Sequence, residues 1–109
     1  MKNLVSKHCV PCEGGTPPLE IKKVNELLPQ VPGWSADVNK KLERDFEFKN
    51  FRKAFSFLTE VALIAEKEGH HPDFSLHSWN KVKITLSTHV IGGLSDNDFI
   101  LAAKINKLL

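Results

Sequence analysis

The sequence has no apolar run near the roughly 20 residues needed to cross a bilayer. Its first eight residues, Met1 to His8, lack the apolar stretch of a secretory signal. A membrane role is therefore not expected, and the default compartment is the cytoplasm, with import into an organelle left open. Excess charge is also missing. Fifteen Lys and Arg against thirteen Asp and Glu give a formal +2, too little to argue for direct contact with nucleic acid or an anionic surface. Thiols are scarce, with Cys9 and Cys12 in His8-Cys9-Val10-Pro11-Cys12 and no second CxxC. A protein zinc site takes three or four ligands, and a redox CxxC should follow a strand and open a helix. Here Glu13-Gly14-Gly15-Thr16-Pro17-Pro18 follows, so a plain surface loop outweighs zinc or redox chemistry and no metal is expected.

What is present fits one domain. A chain of 109 residues with 41% hydrophobic content builds a single core. Residues 1–18 read as an irregular N-terminal arm, and 19–109 as the folded domain. Thr16 is a candidate cap, with Pro17 and Pro18 opening a first helix that carries Leu19, Val24, Leu27 and Leu28 and stops near Pro29. Pro32-Gly33 marks a turn, and Trp34 opens a short strand that ends at Asn39-Lys40. From Lys41 to Phe48, apolar Leu42, Phe46 and Phe48 share one face and charges the other, the period of a half-buried strand.

Asn50 caps the longest helix, 51–68, and Gly69 ends it. Phe51, Ala54, Phe55, Leu58, Ala62 and Ala65 form one continuous face, which Phe57, Val61 and Ile64 widen beyond what a single sheet needs. The helix is either deeply buried or packed both on the sheet and on another subunit. Asp73 to Trp79 reads as a third strand, Asn80-Lys81 as a turn, and Val82 to His89 as a fourth strand. Ser95 with Asp98 fits the capped start of a last helix. The order helix, two strands, helix, two strands, helix gives an α+β domain with the helices on one face of an antiparallel sheet.

Chemistry concentrates in Glu66-Lys67-Glu68-Gly69-His70-His71-Pro72-Asp73 and in Ser87-Thr88-His89. Histidine is the side chain whose charge changes nearest neutral pH. Three of them at element ends suggest proton transfer on a small molecule. The helix end and Glu66, four residues before His70, both favour imidazolium, which suits an acid. A histidine at a helix C-terminus is also a good dipole partner without catalysis, but two adjacent rings cannot both lie along one helix end. His8 and His77 read as solvent-facing.

These residues carry a resemblance. Glu66, then His70-His71-Pro72, an aromatic at Trp79, His89 after Ser87-Thr88, and Gly93-Leu94-Ser95 with Asp98 together resemble the pterin-4a-carbinolamine dehydratase family. Some animal members of that family double as a dimerisation cofactor of a homeodomain transcription factor. The resemblance runs from about Leu19 to the C-terminus and includes Gly33-Trp34 and Val61-Ala62-Leu63; the arm lies outside the part shared with animal members. Asp73-Phe74 stands where many members have Glu followed by Trp or Tyr.

The resemblance implies a four-stranded antiparallel sheet with three helices on one face, and a homodimer or homotetramer formed through the sheet edge and helix 51–68. It implies dehydration of 4a-hydroxytetrahydrobiopterin to quinonoid dihydrobiopterin, without metal or redox cofactor. His70 and His89 would be the acids and His71 would orient substrate. Gly69, Ser87 and Thr88 would line the pterin pocket. Glu66, Trp79 and Asp98 would support it, Trp79 as a pocket wall or a core aromatic, Asp98 as support or as a helix cap. The alternative is a non-catalytic dimerisation cofactor or assembly partner of another protein, working through the helix face.

Overall fold

A computed structural model describes residues 4–11 and 14–109; Cys12, half of the CxxC, lies outside them. After the arm come α1 (Ile21–Leu27), β1 (Ser35–Asp37), β2 (Lys41–Glu47), α2 (Phe51–Glu68), β3 (Asp73–His77), β4 (Lys81–Leu86) and α3 (Asp96–Asn106). All strand pairs are antiparallel, in the order β1-β2-β4-β3. Each hairpin is local, while β2 and β4 join the two at the centre, with Leu42 opposite Leu86 and Phe46 opposite Val82.

Alternation decides which face is covered. Leu42, Phe46, Val82, Ile84 and Leu86 are buried, while their neighbours Asp45, Glu47, Lys81 and Lys83 stay in solvent. The helices therefore occupy one face, as expected. From α2 come Ala54, Phe57, Leu58, Val61 and Ala65, and from α1 Val24 and Leu27. Helix α3 is buried almost all round, from Phe99 to Ala103 and at Ile105, so it needs cover on more than its sheet side. The arm supplies part of it: a 3-10 turn at Leu4–Ser6 places Leu4 in the core at 4% exposure.

Local signals explain the bounds of α2. The Asn50 side chain accepts the Lys53 N–H at 2.8 Å. At the other end Gly69 adopts φ +67°, its N–H bonds to Glu66 O, and the His70 N–H bonds to Ala65 O. That is a Schellman closure, and it fixes where His70 leaves the helix.

Elsewhere the structure departs from expectation. Helix α1 begins at Ile21, not at Pro17, and its N-cap position is Glu20 rather than Thr16. Strand β1 starts one residue after Trp34, which is buried and donates its indole N–H to Asn106 Oδ1 at 2.8 Å. Strand β3 stops at His77, because Ser78 and Trp79 take left-handed φ of 49° and 58° to turn the hairpin. Strand β4 stops at Leu86, and His89 opens a 3-10 turn instead of ending the strand. The broad apolar face of α2 is split. Phe57, Val61 and Ile64 are part of the side that meets the core, while Phe51, Phe55, Ala62 and Leu63 are exposed. No described helix is long and apolar enough to cross a membrane.

Candidate active site

The ends of a helix and a strand meet at one end of the sheet. The end of α2 delivers Gly69, His70 and His71, and the end of β4 delivers Ser87, Thr88 and His89. They line a cavity of about 290 Å³ together with Val90, with Asn97 of α3, and with Val10 and Pro11 of the arm. The cavity thus unites six of the residues singled out from sequence with four that were not.

Asp98 is the hub behind the wall. Its side chain is fully buried, and a charge in that position persists only with several partners. Oδ1 lies 2.6 Å from His70 Nε2. Oδ2 accepts the Thr88 hydroxyl and the Ser95 N–H, each at 2.9 Å. A carboxylate only accepts, so His70 carries a proton on Nε2, and Nδ1 is the nitrogen left for a ligand. His70 is held tightly, its side chain 11% exposed. Asp98 is therefore cap and orienting group at once, and the two roles share one carboxylate. Ser95 completes the cap, its hydroxyl 2.7 Å from that of Thr88.

Glu66 does not approach His70. It pairs with His71 Nε2 at 2.9 Å, and both side chains are largely exposed. The reason is local: the closure at Gly69 turns His70 inward toward α3, so that the next residue, not the one four positions on, swings back over the helix end. His89 lies 3.8 Å from Asp73, again with both groups exposed. The loop carrying His89 is drawn closed by paired bonds between Thr88 and Gly93. Gly93 has no room for a side chain, since a Cβ would come within 2.7 Å of Asn39 O.

The hydroxyls implied as pterin contacts are already engaged. Ser87 donates to Lys40 O at 2.8 Å and Thr88 donates to Asp98. With those protons committed within the protein, either hydroxyl can only accept from a ligand. Trp79 does not line this cavity and is not buried in the core. It sits in the β3–β4 turn, 61% exposed, beyond the far end of a strand that runs about 13 Å away from Asp73. Among the described residues no three His, Cys, Asp or Glu side chains converge as a metal would require.

Four lining residues escaped the sequence reading. Val10, Pro11, Val90 and Asn97 carry no catalytic signature, and only folding brings an arm residue beside α3. Glu68 escaped as well. The sequence reading assigns it no role of its own, but its side chain is only 4% exposed. It accepts the Cys9 N–H at 2.8 Å and lies 3.1 Å from His8 Nδ1 and 3.9 Å from Lys104 Nζ. Burial pushes its carboxyl up, but Cys9, His8 and Lys104 outweigh that and hold it below its ordinary value.

The family model for pterin 4 alpha carbinolamine dehydratase matches residues 17–108. A protein of Alkaliphilus metalliredigens named for that family is 50% identical over 108 residues, 98% of this chain and 96% of its own. Pterin-4-alpha-carbinolamine dehydratase 2 of Arabidopsis thaliana, a mitochondrial protein, is 48% identical over 99% of this chain, which spans 60% of its length. A solved structure from Brucella melitensis, described as a transcriptional coactivator/pterin dehydratase, superposes with a TM-score of 0.77 at 37% identity. It covers 84% of this chain and 97% of its own. The chain therefore belongs to the pterin-4a-carbinolamine dehydratase family and is a hydro-lyase.

Proposed function

We propose that the histidine cavity dehydrates 4a-hydroxytetrahydrobiopterin to quinonoid dihydrobiopterin. In this reaction the C4a–O bond breaks, the N5–H bond electrons form the C4a=N5 double bond, and water leaves. Hydroxide is a poor leaving group, so an acid must protonate the 4a oxygen as it departs, and a base must take the N5 proton. His70 is the acid for one face of the ring, His89 for the other, and His71 binds and orients the substrate. The observation that carries this reading is the 2.6 Å contact of His70 Nε2 with the buried Asp98. A buried carboxylate fixes the tautomer and orientation of a ring at a cavity wall, which a merely solvated histidine does not need.

The test is the rate of dehydration of a 4a-hydroxytetrahydropterin generated in place by a hydroxylase. His70→Ala and His89→Ala should each slow turnover by about 10²–10⁴ for the isomer they serve. Wild-type rates in both variants would end the proposal.

Self-association belongs to the same reading. Strand β3 is a sheet edge carrying Phe74, 53% exposed, and α2 exposes Phe51 and Phe55 at 55% and 60%. These features support a homodimer through the edge and a homotetramer through α2, and the same helix face would serve a protein partner. Charge should be introduced at Phe55 or Leu63 to test it. Phe57, on the widened helix face read from sequence, is unsuited to this test because it is a core residue at 7% exposure. Sedimentation that reports a monomer for the wild type would reject the oligomer. A cytoplasmic location completes the proposal, and cell fractionation tests it against the mitochondrial location of the Arabidopsis relative.

A further inference from the structure

Acid chemistry at the histidines makes no demand on residues 4–11, yet the arm is anchored by buried polar groups. Glu68 holds Cys9 as described, and Lys104 Nζ donates to Val5 O at 2.8 Å. Asn97, 5% exposed, closes on both backbone groups of Val10: its Nδ2 donates to Val10 O at 2.6 Å and its Oδ1 accepts the Val10 N–H at 3.0 Å. An amide that engages both sides of one peptide residue fixes its position as a β-bridge would. Buried polar groups persist where they are satisfied, and here their satisfaction holds the arm.

What these anchors hold in place is apolar and largely exposed. Val10 is 65% exposed and lines the cavity with Pro11 and Val90. Of the polar walls, those made by His71 and His89 are wet, their side chains 64% and 78% exposed. A flat heteroaromatic substrate needs apolar cover as well as polar groups that orient it.

We infer that Val10 and Pro11 form a substrate-holding wall of the active site, with Glu68 and Asn97 as positioning residues that act through the arm. The inference rests on the histidine cavity being the pterin site. Glu68 lies outside the cavity lining and bonds the arm at Cys9, so the arm is the route proposed for its effect on substrate binding, and Val10→Ala, in the arm itself, checks that route.

Steady-state kinetics on the 4a-hydroxytetrahydropterin generated in place test it, at a temperature where circular dichroism shows each variant folded. Glu68→Ala should raise KM about tenfold with kcat within twofold, as expected for losing charge-assisted bonds to the arm. Glu68→Gln, which keeps an acceptor for the Cys9 N–H, should recover most of that change. Val10→Ala should raise KM about fivefold by removing apolar contact with substrate. Unchanged KM in folded Glu68→Ala and Val10→Ala, or a fall in kcat alone, overturns the wall while His70→Ala still slows turnover. If Glu68→Ala does not fold, Val10→Ala decides. Wild-type turnover in His70→Ala would instead overturn the cavity assignment and the wall with it.

Discussion

Replacing Asp98 separates its structural from its chemical role. Asp98→Ala removes three hydrogen bonds at once, to His70, Thr88 and Ser95, and leaves their donors buried. Loss of one partner of a buried charge pair costs about 3–5 kcal/mol. For a domain of this size that lowers Tm by at least ~12 °C. Asp98→Asn behaves differently. Its amide oxygen can keep the Ser95 N–H and the Thr88 hydroxyl, while its NH₂ turns toward His70. The cost is then about 1–2 kcal/mol. The chemistry suffers more than the fold, because the amide is a donor where the carboxylate accepted. His70 Nε2 must become an acceptor, and the ring proton moves to Nδ1. The ring can no longer carry both protons in place, so kcat should fall about 10²–10³-fold, close to the loss in His70→Ala. Thermal denaturation gives the stability difference, nitrogen NMR of the imidazole gives the tautomer, and the dehydration assay gives kcat. Wild-type kcat in a folded Asp98→Asn protein with a switched tautomer would refute the role of Asp98 in orienting the acid.

Two further outcomes follow from the same geometry. Gly69→Ala should cost about 1–2 kcal/mol, since φ is +67° but nothing lies within 4 Å of the new Cβ. Gly93→Ala should cost more and slow turnover, because its Cβ would strike Asn39 O and shift the His89 loop; equal urea midpoints for the two variants would contradict this. The Glu68 carboxyl is held below its ordinary 4.5, so its contribution to arm docking is fully present above that pH and is lost as pH falls through the lower folded value. Protection of the Cys9 amide from exchange should fall in that acid range in the wild type and show no such step in Glu68→Gln; constant protection in the wild type down to the onset of its acid unfolding would refute the linkage.

Short-range chemistry made much of this protein legible in its sequence. Helix α2 runs from Phe51 to Glu68 because Asn50 and Gly69 are sufficient local start and stop signals, and a period of two in Leu42 to Phe46 and Val82 to Leu86 marks the covered face of the sheet. Weak signals failed where propensity competes with context: two prolines did not start α1, and an aromatic at Trp79 did not extend β3 against a turn needing two left-handed residues. Partner choice was decided only by tertiary structure. Glu66 is near His70 in sequence, yet the Schellman closure at Gly69 gives it His71 and sends His70 to an aspartate 28 positions away. Whether an apolar residue is core or surface was likewise undecided for Phe55 and Phe57 until the sheet and α3 were in place. The arm shows the same limit. No local pattern in Cys9-Val10-Pro11 points to a cavity wall; that position exists because α3, buried almost all round, is covered from outside by the arm, which its Asn97 holds at Val10.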